Sequence, residues 1–160
     1  MCIRDRHDRV VAQVQALDTA QVVALTTQQV AALTSTQVGV ISSAQAAALE
    51  TQDVAALNTT SLRSLSTDAV AALATEQIAS LTTAQAASLT TLQVSSLDTA
   101  QVAAISTAAV AALTTAGIRA LDDTGAAALT TAQSAALTTN QLQALYTQQV
   151  AALGTSNIAG

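Results

Sequence analysis

The sequence predicts an all-α solenoid in which each eight-residue repeat forms one very short helix. One octad, with the consensus Leu-x-Thr-x-Gln-Val-Ala-Ala, recurs along nearly all of the 160 residues. Its two apolar columns lie three residues apart, so they share one face of a helix but would point to opposite faces of a flat strand. Its Thr or Ser column supplies the residue type that is preferred at helix N-termini. Together these observations favour a stack of short helices.

The apolar columns are the most regular feature of the octad. The Leu column runs from Leu17 to Leu153, and sixteen of its eighteen members are Leu, the other two being Ile41 and Ile105. A Val column precedes it by three residues, and the residue directly before each Leu is Ala or Ser except at Val40. We expect Leu and Val to face inward and the small residue to let neighbouring backbones approach closely.

The polar columns predict where each helix begins. Thr or Ser follows each Leu by two residues, interrupted only by Asp123, and is a preferred N-cap. The residue before it, for example Asp18 or Thr26, lies three residues ahead of the Gln column and could form a capping box instead. Both assignments begin a helix at the same place. The polar pair after Leu ends one helix and turns the chain into the next.

Other architectures fit the period less well. In one continuous α-helix, eight residues overshoot two turns by about 80°, so the Leu column would spiral around the rod. The implied four residues per turn also lie outside the range of coiled coils. A β-solenoid is the alternative, because Thr and Val favour strands and an even period keeps each column on one face. The Ala-Ala pair and the lack of a recurrent Gly or Asn at corners count against it.

Helices this short are stable only when stacked, since isolated helices below about 12 residues are marginal in water. Neighbouring repeats of the same chain are therefore the expected packing partners. Two octads per superhelical turn would give stacked antiparallel hairpins, and three would give a triangular spiral on the order of 60 Å long. The columns show no alternation by two or three, so the sequence does not choose between them.

The two ends of the chain relate differently to the array. Residues 1–6 resemble the translation of a transposase end used in sequencing libraries, so we assign 1–10 to an adapter scar and a disordered end. Residues 11–160 form a single array of about nineteen octads. Neither end offers the polar terminal repeat that caps other solenoids, so we expect the array to be a fragment of a longer chain.

Composition argues against several classes of partner. The formal net charge is −5, and without residues 1–6 it is 3 − 9 = −6, so we expect neither nucleic acid nor anionic lipid to bind. Although 51% of the residues are hydrophobic, polar residues interrupt every octad, and no membrane span is predicted. Ala supplies much of the hydrophobic fraction, so the core is expected to be thin.

We predict no catalytic, cofactor-binding or metal-binding residues. His7 is the only histidine and Cys2 the only cysteine, so no histidine triad or metal cluster can form. Asp122 and Asp123 form an acidic doublet, which we interpret as structural, with Asp123 as an N-cap in the Thr column rather than a calcium ligand. Tyr146 falls in a variable slot after Leu and is expected at the surface.

Stretches such as LTTAQAASLTTLQVSSLDTAQVAAIS, residues 81–106, resemble the octapeptide arrays of very large, repetitive bacterial secreted or surface proteins, often labelled adhesin-like or haem-utilisation-like. The resemblance covers residues 11–160 and implies an extracellular or cell-surface location. The array itself contains no Met, Cys or His, so it offers none of the usual haem ligands.

The uniform octads favour a structural spacer or stalk, without catalytic activity, cofactor or small-molecule substrate. A binding site would mark some repeats with distinctive exposed residues, and few octads carry any. The alternative is a repeat surface that binds other proteins at the cell surface, or ice through its regular Thr ranks. A low-complexity tract with no unique fold is a third hypothesis.

Overall fold

A computed structural model describes residues 11–157, which form an all-α repeat solenoid. The described residues contain no strand, so the β-solenoid alternative is wrong. The assignment of residues 1–10 to a scar and a disordered end lies outside the described residues. The helices are α1 (11–15), α2 (Thr19–Val23), α3 (Thr27–Ala31), α4 (Ser35–Val38), α5 (Ser43–Ala48), α6 (Thr51–Ala56), α7 (Thr59–Ser64), α8 (Thr67–Ala71), α9 (Thr75–Ala79), α10 (Thr83–Ser88), α11 (Thr91–Ser95), α12 (Thr99–Ala104), α13 (Thr107–Ala112), α14 (Thr115–Ala120), α15 (Asp123–Ala127), α16 (Thr131–Ala136), α17 (Thr139–Ala144) and α18 (Thr147–Asn157).

Helix α10 illustrates how one octad folds. Thr82 is extended, with φ −72° and ψ 160°, and its hydroxyl accepts a hydrogen bond from the backbone N–H of Gln85 at 3.2 Å. The helix then runs for six residues, and Leu89 returns to an extended conformation with φ −56° and ψ 138°. No described residue has a positive φ, so the corner needs no glycine. This explains why no Gly recurs at a fixed position of the octad.

The structure chooses between the two predicted capping assignments. In each capped octad the N-cap is the residue before the strict Thr column, as at Asp18, Thr82 and Asp98, and the strict Thr or Ser is the first helical residue. The interpretation of the strict column as the N-cap is therefore wrong, and the capping-box assignment is confirmed. The reason is that the residue directly after Leu is extended and its side chain accepts from the third helical N–H, also in octads without Gln, as at Ser106 and Thr114. Where Gln is present, its side chain caps the N-cap backbone in return.

Helices stack on partners three octads away along the chain. Every such pair from α2 with α5 to α15 with α18 is in contact. At Gly39 the backbones come so close that an added Cβ would lie 3.3 Å from the carbonyl oxygen of Ser64, which is 25 residues further on. Side-chain hydrogen bonds join octads four apart, as described below. Because the stacked helices are three octads apart, one superhelical turn contains about three octads, one of the two values weighed from the sequence. The side-chain bonds reach an octad four back because they end at the corner just before the stacked helix.

The core is one continuous column of Leu and Val side chains from Val14 to Leu153. Val54, Val94 and Val110 have no exposed surface. The small residue before each Leu is mostly half-buried, and the residue before that is mostly exposed, including Arg63 and Arg119. The predicted inward and outward columns are thus confirmed. The Gln column is the exception to this pattern, since it lies inside.

Candidate functional site

The most distinctive polar feature of the molecule is a set of buried glutamines, which we name the glutamine ladder. Each member occupies the Gln column and is almost inaccessible to solvent. The ladder consists of Gln45, Gln77, Gln85, Gln93, Gln101, Gln133, Gln141 and Gln149. Buried carboxamides need hydrogen-bond partners, because an unpaired polar group in a protein interior costs about 1–3 kcal/mol.

Gln93 shows how one ladder side chain is satisfied. Its Oε1 accepts from the backbone N–H of Thr90, the N-cap of its own helix, at 3.0 Å. Its Nε2 donates to the carbonyl oxygens of Leu62 at 2.9 Å and Leu65 at 3.0 Å. These acceptors lie 31 and 28 residues earlier, at the C-terminal end of a helix four octads back. Gln93 thereby joins one turn of the solenoid to the turn before it.

The same connection recurs along the ladder. Each of the eight glutamines donates to the Leu-column carbonyl 28 residues earlier. A helix of six residues leaves most of its backbone groups without an intrahelical partner. One carboxamide supplies an acceptor for the first turn of its own helix and donors for the last turn of another. This double role explains how helices too short to be stable alone persist in the array.

Six octads in the described part of the array carry a different residue in the Gln column, and each handles the buried position differently. Ser61 replaces the carboxamide with a hydroxyl that donates to the carbonyl of Leu33 at 2.9 Å. Ala69, Ala109, Gly117 and Gly125 offer no side-chain donor. The sixth is Asp53, which brings a carboxylate into the interior. These six positions form two runs of three consecutive octads, at 53, 61 and 69 and at 109, 117 and 125. Side-chain hydrogen bonds between turns are therefore fewer in these two runs.

Asp53 is the least satisfied of the buried side chains. It is 1% exposed, and its Oδ2 has no hydrogen-bond partner. The repeat places the carbonyls of Val22 and Leu25 opposite it, where a ladder glutamine would donate. Burial raises the pKa of the Asp53 carboxyl above its usual value near 3.8; the backbone hydrogen bond from Glu50 opposes this, and the nearby Glu50 carboxylate adds to it. The folded state thus holds the proton on this carboxyl more tightly than the unfolded state does.

The glycines in the Gln column are tightly surrounded. A Cβ added to Gly117 would lie 3.2 Å from the Thr114 hydroxyl oxygen, and one added to Gly125 would lie 3.3 Å from Oδ1 of Asp122. Both oxygens are N-cap acceptors, which bond the glycine N–H at 2.9 Å and 2.6 Å. The two glycines therefore keep their caps while the link to the preceding turn is lost.

The outer face carries the strict Thr column and one charged aromatic pair. Most of the strict Thr side chains are exposed, for example Thr83, Thr99 and Thr131. Arg119 lies over the ring of Tyr146 at 4.6 Å from its centroid, and its guanidinium donates to the Tyr146 hydroxyl at 2.5 Å. Tyr146 is 52% exposed, which confirms its predicted surface position.

The acidic doublet has a structural role, but the two residues are assigned differently from the prediction. Asp122 is the N-cap of α15, whereas Asp123 is the first helical residue and is exposed. The interpretation of Asp123 as the N-cap is therefore wrong, for the same reason as for the strict Thr column. His7 and Cys2 lie outside the described residues. Within 11–157 no three acidic, His or Cys side chains gather as metal ligands.

Sequence reasoning noted the Gln column but missed its burial. The local role of Gln is visible in the sequence, because a capping box has Gln at the third helical residue. Its bonds to the preceding turn are not, because they go to carbonyls 28 and 31 residues away, which no local pattern reveals.

In the part of the chain that the structure describes, no helix has the length and hydropathy needed to cross a bilayer.

Comparison with known families places this geometry in a named repeat class. The ALTTAQ repeat family matches three times, at residues 14–51, 46–83 and 102–139. These matches cover more than half of the 160 residues and include three of the eight ladder glutamines, Gln45, Gln77 and Gln133. Neither the curated proteins nor the solved structures gave a significant match. The chain therefore belongs to the ALTTAQ repeat family.

Proposed function

We propose that the array is a structural spacer of a large bacterial secreted or surface protein, located outside the cell and without catalytic activity. Its partners are its own repeats, with other proteins held at its ends, and it takes no nucleic acid, cofactor or small-molecule substrate. The observation that carries the proposal is the glutamine ladder. Its hydrogen bonds join successive turns and recur in the same form at all eight ladder glutamines, so added octads of this kind lengthen the body without changing its construction.

The spacer role predicts that length grows in proportion to the number of octads. A copy of residues 89–136, which is six octads, is inserted after Ala136 in a chain whose Cys2 is replaced by Ser. Spin labels at the exposed positions Ala103 and Gln143 then report the separation across the insertion. Six octads make two turns, so the separation should rise by about 16–20 Å at helix spacings of 8–10 Å.

A Gly/Ser insertion of equal length is the control. A flexible chain of this kind gives a broad distance distribution whose mean follows the square root of its length. The proposal would be contradicted if the octad insertion left the separation unchanged, or if its distribution were as broad as that of the Gly/Ser chain.

A second candidate function, ice binding, is favoured by the exposed strict Thr column. These hydroxyls are not N-caps, so they are not engaged in capping hydrogen bonds, and most of them lie at the surface. However, about three octads per turn divide the column into three rows around the solenoid rather than gathering it on one flat side. A thermal-hysteresis measurement on the full chain decides between the two functions: the spacer predicts none, and a clear hysteresis would support ice binding.

A further inference from the structure

One octad of the described array carries an acid at both positions of the capping box. Glu50 is its N-cap and Asp53 is its third helical residue, a position that holds Gln in most octads. The Glu50 side chain is exposed and makes no cap hydrogen bond. The Asp53 side chain is 1% exposed. The octad therefore places one carboxylate in the interior and a second at the start of the same helix.

The two carboxylate oxygens of Asp53 replace the two ends of a ladder carboxamide. One oxygen accepts from the Glu50 backbone N–H, as Oε1 of Gln93 accepts from its own N-cap. The other, Oδ2, has no hydrogen-bond partner. It corresponds to Nε2, which at all eight ladder positions donates to the Leu-column carbonyl 28 residues earlier. An acceptor thus occupies the place where the solenoid uses a donor.

The register of the repeat identifies the groups that face this oxygen. Helix α6 stacks on α3, three octads earlier, as in the rest of the array. The carbonyls 31 and 28 residues before Asp53 are therefore those of Val22 and Leu25, at the end of α2. The next octad follows the same register, because Ser61 donates to the carbonyl of Leu33. Three acceptor oxygens consequently face one another at Asp53.

The shorter side chain of Asp leaves room for an ion among these oxygens. Asp has one methylene fewer than Gln, so its oxygen ends about 1.5 Å short of the position of Nε2. Added to the 2.8 Å between Nε2 of Gln85 and the Leu57 carbonyl oxygen, this gives a gap of about 4–4.5 Å. Two oxygens that each lie about 2.3–2.6 Å from a shared Ca²⁺ ion are about 4–5 Å apart. The gap is too wide for a hydrogen bond and matches the span of a bridging ion.

We propose that Asp53, Glu50 and the carbonyls of Val22 and Leu25 bind a calcium ion, which joins α6 to the preceding turn in place of the missing carboxamide. Ca²⁺ prefers carboxylate and carbonyl oxygens and completes its six to eight ligands with water. Its two positive charges would balance two carboxylates that otherwise repel each other. This structural ion goes beyond the spacer role. It also departs from the prediction of no metal-binding residues, which considered side chains and could not place backbone carbonyls beside Asp53.

Calcium should raise the thermal stability of the full chain. Unfolding is followed by circular dichroism at neutral pH with EDTA or with about 5 mM CaCl₂, at an ionic strength held constant with tetramethylammonium chloride. We expect the midpoint temperature to rise by about 3 °C or more, because an ion that binds only the folded state stabilises it. Isothermal titration calorimetry should give one ion per chain. Mg²⁺, which gives up its water less readily, should produce a clearly smaller shift.

Three variants separate this site from general binding of cations to an acidic chain. Asp53→Gln restores a ladder donor, so in EDTA it should unfold at a higher temperature than the unmodified chain, and it should not respond to Ca²⁺. Glu50→Gln keeps the buried carboxylate and should weaken Ca²⁺ binding about tenfold, because it removes one charged ligand. The matched control is Glu76→Gln, which removes an exposed acid from the first turn of α9 and should respond like the unmodified chain.

The outcomes are distinct. The proposal is overturned if Ca²⁺ leaves the midpoint temperature of the unmodified chain unchanged, or if Asp53→Gln or Glu50→Gln responds as strongly as Glu76→Gln. An equal response to Mg²⁺ and Ca²⁺ would also overturn it, since screening of surface charge does not distinguish the two ions.

Discussion

At the residue scale, the ladder glutamine is the group that distinguishes this solenoid from a simple stack of apolar helices. Its Oε1 completes the N-terminus of its own helix, and its Nε2 completes the C-terminus of a helix in the preceding turn. The amino-acid sequence reveals the first role through the spacing of three to the N-cap. It conceals the second, because the partner carbonyls are identified only when the number of octads per turn is known.

Replacement of a ladder glutamine should therefore destabilise the fold far more than replacement of an exposed one. Gln93→Ala removes two bonds to carbonyls and one to the N-cap backbone, and we expect a loss of about 2–3 kcal/mol in the free energy of unfolding. Gln143→Ala, at an exposed position, should change it by less than about 0.5 kcal/mol. Urea denaturation followed by circular dichroism measures both. Equal effects of the two substitutions would argue against the ladder.

Asp53 provides a residue-scale test that depends on pH. Its raised pKa means that the folded state binds the proton more tightly than the unfolded state, so its contribution is most favourable below the usual value near 3.8. That contribution falls as the pH rises through the raised pKa, and it remains unfavourable at neutral pH. Asp53→Gln removes this titration and restores donors toward the Val22 and Leu25 carbonyls. We expect it to stabilise the fold by about 1–2 kcal/mol at pH 7.

The measurement for Asp53 is the difference in unfolding free energy between variant and unmodified chain, followed from acid to neutral pH. This difference should grow as the pH rises. Asp68→Asn serves as the control, because Asp68 is exposed at the first turn of α8. A stabilisation by Asp53→Gln that did not depend on pH would contradict the role assigned to the carboxylate.

At the element scale, each helix is defined by its caps rather than by its length. The sequence predicted the existence and the starting point of the helices, because the capping residues and the apolar pair lie in every octad. It left two candidate N-caps one residue apart, and local propensity does not separate them, since Thr is suitable at both positions. The extended backbone directly after Leu decides between them, since the residue before the strict column is the N-cap also at Ser106 and Thr114, whose octads lack Gln.

Thr82 and Thr83 test this assignment within one octad. Thr82→Ala removes the hydroxyl that accepts from the Gln85 N–H, and we expect a loss of about 1 kcal/mol in the free energy of unfolding. Thr83→Ala changes an exposed first helical residue and should have an effect below about 0.5 kcal/mol. Thermal denaturation of the two variants gives the comparison. A larger loss for Thr83→Ala would reinstate the strict column as the N-cap.

At the scale of the whole molecule, the array is a spiral whose turns are joined by bonds along its axis. The all-α solenoid was predictable, because the period of eight excludes a continuous helix and the Val–Leu spacing of three disfavours strands. The number of octads per turn was not. Every octad stacks on the octads three places before and after it, so all octads have the same surroundings and the columns show no alternation that would reveal the number.

The central claim is that octads three apart along the chain stack on each other, and one set of distances tests it directly. Spin labels are placed at exposed positions of the same column, Ala79, Ala87 and Ala103, in a chain with Cys2 replaced by Ser. Ala87 and Ala103 are two octads apart, on different sides of the spiral, whereas Ala79 and Ala103 are three octads apart, in the stacked helices α9 and α12. The structure predicts a shorter distance for the pair Ala79 and Ala103, close to one helix spacing of about 8–10 Å. A distance that instead increases with sequence separation would contradict the solenoid and its ladder.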